Sequence, residues 1–154
     1  MAKKQAAAGQ RTGKIQNRRA RYDYELGDEI IAGIVLNGRE TKALRLSHGS
    51  LQGAFVTLKN GEVWLMNATI TSTKNFEIKP EEQTQARKLL VTKREIETLK
   101  KAKDEGKTIV PIEILTKSRY IKLKIAPGRG KKKYDKRQTL KKRDETRQMN
   151  RAKK

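Results

Sequence analysis

Residues 54–70 read AFVTLKNGEVWLMNATI. Two runs of alternating apolar and polar residues flank Asn60-Gly61, the dipeptide that a type I′ turn favours because both its central residues need positive φ. A β-hairpin follows, with Ala54, Val56 and Leu58 on one face of the first strand and Trp64, Met66 and Ala68 on one face of the second. A two-stranded hairpin is marginal alone in water, so it must pack against further strands. The chain offers them as short pieces. Residues 22–36 hold β-branched and aromatic residues that end in an apolar run, and 87–91 (RKLLV) form a brief strand. Residues 108–115 and 119–126 are strands about a Lys117-Ser118 turn. Pro111 marks its strand as a sheet edge or a bulge, because proline cannot donate to a ladder.

Helical signals are few. Ala43 and Leu44 recur against Glu40, Lys42 and Arg45 at helical spacing, giving a short helix near 39–46. Residues 92–106 read as a helix capped by Thr92 with Glu95 completing a capping box, stopped by Gly106, with a thin apolar face of Ile96, Leu99 and Ala102. Residues 71–86 are polar and carry no clear period. Only 34% of the chain is apolar, so the core must be small. Closing the strands on themselves removes the sheet edges such a domain could not otherwise cover. The expected fold is mostly β: an OB-fold-like closed antiparallel barrel with about three short helices.

Charge divides the chain into three. Of a net charge of +21, residues 1–21 hold seven Lys/Arg and no acid, and residues 128–154 hold thirteen against three acids, whereas residues 22–127 are nearly balanced. The expected organisation is a basic N-terminal arm at 1–20, a barrel at 21–127 and a basic tail at 128–154. The tail has Tyr134, Leu140 and Met149 as its large apolar side chains, too few to offset chain entropy, so it should be disordered when free. Without Pro or Gly after residue 130, its composition favours helix once a partner holds it.

Two basic arms on a near-neutral body point to polyanions, since each cation that meets a phosphate releases condensed counterions. Enzyme chemistry finds little support. There is no cysteine, and the single histidine, His48, sits in the turn sequence SHGS. GRGKK at 128–132 has Ile125 where a phosphate loop needs glycine and Lys132 where it needs Ser or Thr. No metal-ligand spacing occurs, and no cofactor is expected. The absence of an apolar run near 18 residues and of a secretory signal points to a cytoplasmic protein. Binding candidates are stronger. NRRARYDY sets Asn17, Arg18, Arg19 and Arg21 beside two tyrosines, pairing guanidinium forks for phosphates with rings that can stack on unpaired bases. On 119–126, Ile121, Leu123 and Ile125 face one way and Tyr120, Lys122 and Lys124 the other. That second face is either solvated or tracks phosphates, and the alternation leaves both open.

These segments occur in a telling order. NRRARYDY, AGIVLNGRETKALR, NGEVWLMNATI, ARKLLVTKREI, TIVPIEI and GRGKKKYDKR, from about Asn17 to Leu140, resemble the small protein B family, the SsrA-binding proteins that partner transfer-messenger RNA. The resemblance implies an OB-fold barrel with three helices that binds the transfer-RNA-like part of that RNA, one protein to one RNA, and enters stalled bacterial ribosomes with it. It implies that the tail becomes helical in the empty message channel and is read by the decoding centre, that the RNA then encodes a tag for the nascent peptide, and that the protein makes no covalent step. It further implies RNA contacts at Asn17, Arg18, Arg19, Arg21, Lys42, Arg45, Lys122 and Lys124, a basic hinge of Arg129, Lys131, Lys132 and Lys133, and decoding-centre contacts at Tyr134, Asp135, Lys136 and Arg137. The chain departs from the family at Ile31, where a glutamate usually precedes AG, and at Arg129, usually lysine. The loop before RKLLV lacks the expected acidic-proline pattern, and Met149 stands where a larger apolar residue is common. The alternatives are a basic ribosomal protein and a generic OB-fold RNA-binding protein.

Overall fold

Asn60 and Gly61 have φ of 53° and 73°, both positive as a type I′ turn requires. The turn joins β5 (Phe55–Lys59) to β6 (Glu62–Met66), which pair in register from Phe55↔Met66 to Lys59↔Glu62. The structure, a computed structural model, describes residues 13–153. The remainder of the N-terminal arm, with Lys3, Lys4 and Arg11, lies outside the described residues.

In chain order the body has β1 (Lys14–Gln16), the single-turn helix α1 (Ala20–Asp23), β2 (Tyr24–Leu26), β3 (Ile30–Ile34) and α2 (Gly38–Arg45). A two-residue β4 (Gly49–Ser50) precedes the hairpin and pairs with β7 (Thr69–Ile70) after it. Then come the single-turn α3 (Pro80–Gln83), β8 (Arg87–Leu90), α4 (Lys93–Asp104), β9 (Thr108–Leu115) and β10 (Lys122–Gly130), followed by α5 (Lys133–Ala152). Strands β9, β5, β6, β8, β3 and β10 are joined in that order, and β10 pairs back onto β9, so six antiparallel strands close a barrel. β1 and β2 add at its margin, on β9 and β10.

The core fills this barrel. Val56, Val63, Leu65, Leu89, Ile109, Ile114, Leu123 and Ile125 point inward, while Leu99 of α4 and Leu44 of α2 pack against them. Each such side chain, once buried, contributes roughly 1.5–3 kcal/mol. On β6 the inward residues are Val63 and Leu65, so Trp64 and Met66 lie half-buried on the other face. Ala68 does not share their face: Asn67, at φ 62°, breaks the alternation, and Ala68 is buried.

Long-range pairing redraws several boundaries. Residues 14–16, read as part of the arm, pair with Glu113–Leu115. β10 continues past Pro127, where the barrel was expected to end, with Gly128 and Gly130 paired to Leu26 and Tyr24 as strand residues. A Cβ on Gly128 would lie 3.1 Å from Leu26 Cδ2 and from Tyr24 Cβ, which explains glycine there. Residues 20–23, of which 22 and 23 read as the start of a strand, form a helical turn anchored by the buried Ala20.

Pro111 is not at an edge. It is buried in β9, which is paired on both sides. Its missing N–H falls at a bulge: Glu113 faces Lys124 but Pro111 faces Ile125, leaving Ile112 extra. Asn17 serves this bulge, its Nδ2 donating to the Pro111 carbonyl at 2.9 Å and its backbone N–H to the Ile112 carbonyl at 2.7 Å.

Candidate nucleic-acid interface

The outward face of the bulged strands carries alternating charge. Lys124 stands 2.9 Å from Glu113 and 3.3 Å from Glu29, and Glu29 also accepts from Arg21 at 3.1 Å. Lys14 lies 3.8 Å from the other oxygen of Glu113. The close ammonium of Lys124 holds the Glu113 carboxyl below the usual carboxylate range, against the opposing effect of burial. The same contact raises Lys124, with burial again opposing it and Glu29 adding to the rise.

The sign for stability follows. The depressed Glu113 stabilises the fold above its ordinary carboxylate value and loses that contribution as pH falls through its folded value. The raised Lys124 contributes fully below the ordinary lysine value and loses its share as pH rises through its folded value. Glu113→Gln should therefore show a smaller drop in melting temperature than the parent between about pH 6 and about pH 3. Equal drops would mean that this pair adds nothing to acid sensitivity.

A cleft of about 610 Å³ opens on this face, lined by Lys14, Asn17, Arg18, Arg21, Glu113 and Lys124 from the body and by Arg143 from α5. The structure thus brings together Asn17, Arg18, Arg21 and Lys124 from the sequence candidates. It adds Lys14 and Arg143, which sequence reasoning missed. β1 joins the sheet only by pairing across a hundred residues, and Arg143 was one of many tail cations.

The other candidates lie elsewhere. Arg45 donates to the carbonyls of Thr116 (2.9 Å), Ser118 (3.2 Å) and Arg119 (2.8 Å), clamping the β9–β10 turn. Lys42 sits 4.3 Å over the Phe76 ring, an arrangement that attracts a cation to the ring face. Lys122 is exposed on β10, opposite Gly33 of β3. Ile31, at the position where the family usually has glutamate, is 52% exposed and pairs with Lys124.

Where β10 ends, Arg129 is exposed opposite Glu25. Lys131 donates its backbone N–H to the Asp23 carbonyl at 2.8 Å, and its Nζ to the Arg21 carbonyl at 2.9 Å. Lys132 is the N-cap of α5, and Lys133 opens the helix. Tyr134 is exposed, with its hydroxyl accepting from Gln138 at 3.0 Å. Asp135 stands in the first turn, where a negative charge meets the positive end of the helix. Lys136 reaches Asp23 at 3.3 Å, and Arg137 is exposed. No residue of α5 is buried, and no helix among the described residues is long and apolar enough to cross a membrane.

Sequence reasoning also passed over a buried ion pair. Glu40 and Arg87 are each about 2% exposed in their side chains and 3.1 Å apart. Arg87 donates besides to the carbonyls of Ala68, Glu82, Gln83 and Gln85, pinning the 71–86 segment onto the barrel. The pair lies outside the cleft and serves the fold.

Comparison with known proteins matches residues 14–154 to the family model described as SmpB protein. An SsrA-binding protein of Halalkalibacterium halodurans is 41% identical over 147 residues, covering 94% of this chain and 96% of the relative. One from Streptococcus pneumoniae is 40% identical over 143 residues, covering 91% and 92%. Among solved structures, a chain from "tmRNA-SmpB: a journey to the center of the bacterial ribosome" is 36% identical with a TM-score of 0.65, covering 79% of this chain and 86% of that one. A family model that spans nearly the whole chain, with relatives at this identity over nearly their full lengths, shows that the chain belongs to the SmpB protein family.

Proposed function

We propose that this chain is the RNA-binding adaptor of trans-translation: it binds the transfer-RNA-like part of transfer-messenger RNA and carries it to stalled bacterial ribosomes in the cytoplasm. One copy serves one RNA. The body, up to Gly130, holds the RNA, and the tail from Lys131 enters the empty message channel as a helix. It acts by binding and placement, with the peptide tag encoded by the RNA. The observation that carries this reading is the near-full-length match to SsrA-binding proteins. The geometry supports it: a cationic cleft on the barrel sits beside a helix of 20 residues that buries nothing and so contributes little to the body's own stability.

Arg18, Arg21 and Lys124 are the phosphate contacts from the barrel face. Asn17 and Arg45 support them by fixing the bulge and the β9–β10 turn. Lys122, exposed and outside the ion pairs among the described residues, is the cleanest test of a phosphate contact.

Capture of the protein from cells and sequencing of bound RNA should yield one dominant RNA with a transfer-RNA-like end and a short reading frame. Lys122→Ala should lower affinity for that RNA and reduce the slope of log affinity against log salt by about one. Recovery of ribosomal RNA in equal amounts with ribosomes would instead favour a permanent ribosomal protein. An unchanged salt slope would make Lys122 a solvated residue.

A further inference from the structure

We propose that the outer face of the β5–β6 hairpin, centred on Trp64, is a stacking platform for unpaired nucleotides of the RNA that the barrel binds. The inference rests on the function proposed above and extends it to strands β6 and β8, which contribute nothing to the cleft. Trp64 is the single tryptophan of the chain. Its neighbours Val63 and Leu65 are buried in the barrel, and it stands half-buried on the outside. Across the sheet it lies between Thr57 of β5 and Lys88 of β8. One step along the hairpin on the same face, Phe55 stands opposite Met66 and is 46% exposed. Among the described residues the indole N–H has no acceptor, and no cation covers the ring. A tryptophan with an apolar body on the sheet and a polar edge in water is what interfaces use.

The charge around the ring selects the occupant. Lys103 of α4 donates to Thr57 Oγ1 at 3.4 Å, which puts its ammonium on one side of the row. Lys88 stands on the other side, 2.8 Å from Glu62, the hairpin's one acid. Lys59 is exposed opposite that same glutamate. Lysines on both sides of an uncovered ring suit a strand of nucleotides, with phosphates on the ammonium groups and a base on the indole. An apolar protein segment would leave those lysines unanswered. The face also continues into the surface that Lys122 marks. Lys122 of β10 is opposite Gly33 of β3, and Gly33 is opposite Leu90 of β8, on the same face as Lys88. From β10 to β6 is three strand spacings, about 14 Å. Gly33 raises no side chain on the way, so one unpaired segment of RNA can touch Lys122 and stack on Trp64.

Because there is one tryptophan, its emission reports this face alone. Transcribed transfer-messenger RNA, added to the full-length protein until filter binding saturates, should quench that emission by at least about half, as base stacking does. Trp64→Val keeps a strand-forming residue and removes the ring, and should weaken binding roughly five- to hundredfold. The slope of log affinity against log salt should stay as in the parent, because no cation is lost. Trp64→Phe should recover most of the affinity, with melting temperatures confirming that both variants are folded. Unchanged emission at saturation, or parental affinity in Trp64→Val, would overturn the platform and leave the adaptor function standing. Failure of the parent to retain that RNA on the filter would remove the function and this inference with it. Quenching by ribosomes alone, without that RNA, would overturn the inference by assigning the face to the ribosome.

Discussion

Replacing Asp135, Lys136 and Arg137 together by alanine should abolish peptide tagging on stalled ribosomes and leave affinity for transfer-messenger RNA nearly unchanged. The segment opens α5 beyond the barrel exit, and Asp135 and Arg137 are exposed and do not line the cleft that would hold the RNA. From Lys133 the helix extends about 30 Å at 1.5 Å per residue, enough to lie along a channel. Ribosomal phosphates would neutralise its cations, and the exposed Tyr134 could stack on one base for roughly 1–3 kcal/mol. Asp135 discriminates between mechanisms, because removing an acid from a polycation strengthens any purely electrostatic binding. Its loss also removes about 0.3–1 kcal/mol of favourable interaction with the helix N-terminus. Lys136 also pairs with Asp23 of the body, at 3.3 Å. Both quantities are measured on the same triple variant. Normal tagging would remove the segment from the mechanism, and lost RNA affinity would make it part of the RNA surface.

Glu40→Ala should lower the melting temperature by roughly 10 °C, the largest single-residue effect expected in this fold. Glu40 uses both oxygens. Oε2 accepts from the Asn37 backbone and closes the capping box of α2, while Oε1 accepts from Arg87 Nε and Nη2 and from Gln85 Nε2. Removing it leaves a guanidinium buried without its counter-charge, which costs about 3–5 kcal/mol. Glu40→Leu with Arg87→Met should recover part of the loss, because replacing both members removes the stranded charge. A melting temperature within about 3 °C of the parent for Glu40→Ala would mean that the four carbonyls around Arg87 suffice.

What could be read from the sequence was what short-range chemistry determines. Asn60-Gly61 sets a turn through two φ angles, and Thr92 with Glu95 caps α4 within four residues. The inward set Ile121, Leu123 and Ile125 follows from strand alternation, and all three are buried. The misreadings fall where distant partners decide. Tyr22 and Tyr24 suggest strand, yet the buried Ala20 turns the chain into α1 before β2 begins. Pro111 leaves an edge and a bulge both open, and only pairing to β10 decides for a bulge that tolerates it centrally. Glu40 and Arg87 are 47 residues apart, and nothing local marks them as partners. At the interface, Arg18, Arg21 and Lys124 were legible, but not Glu29, which bridges Arg21 and Lys124, nor Glu113, which pairs with Lys124. It offered Arg45 as an RNA contact, where the structure finds a clamp on a turn.

The tail issues directly from β10, and that strand has the most extensive pairing in the barrel. It is matched at seven positions to β9 and, over its last three residues, also to β2. A ribosome that draws the tail into a channel applies force to the end of this strand. Pulled along its axis, such a strand is loaded in shear, and its ladder bonds resist together instead of opening one after another. Traction on Lys131 is therefore spread across β9 and β2 before it reaches the core. The body can act as a mechanical anchor, transmitting movement of the tail to whatever the cleft holds without unravelling.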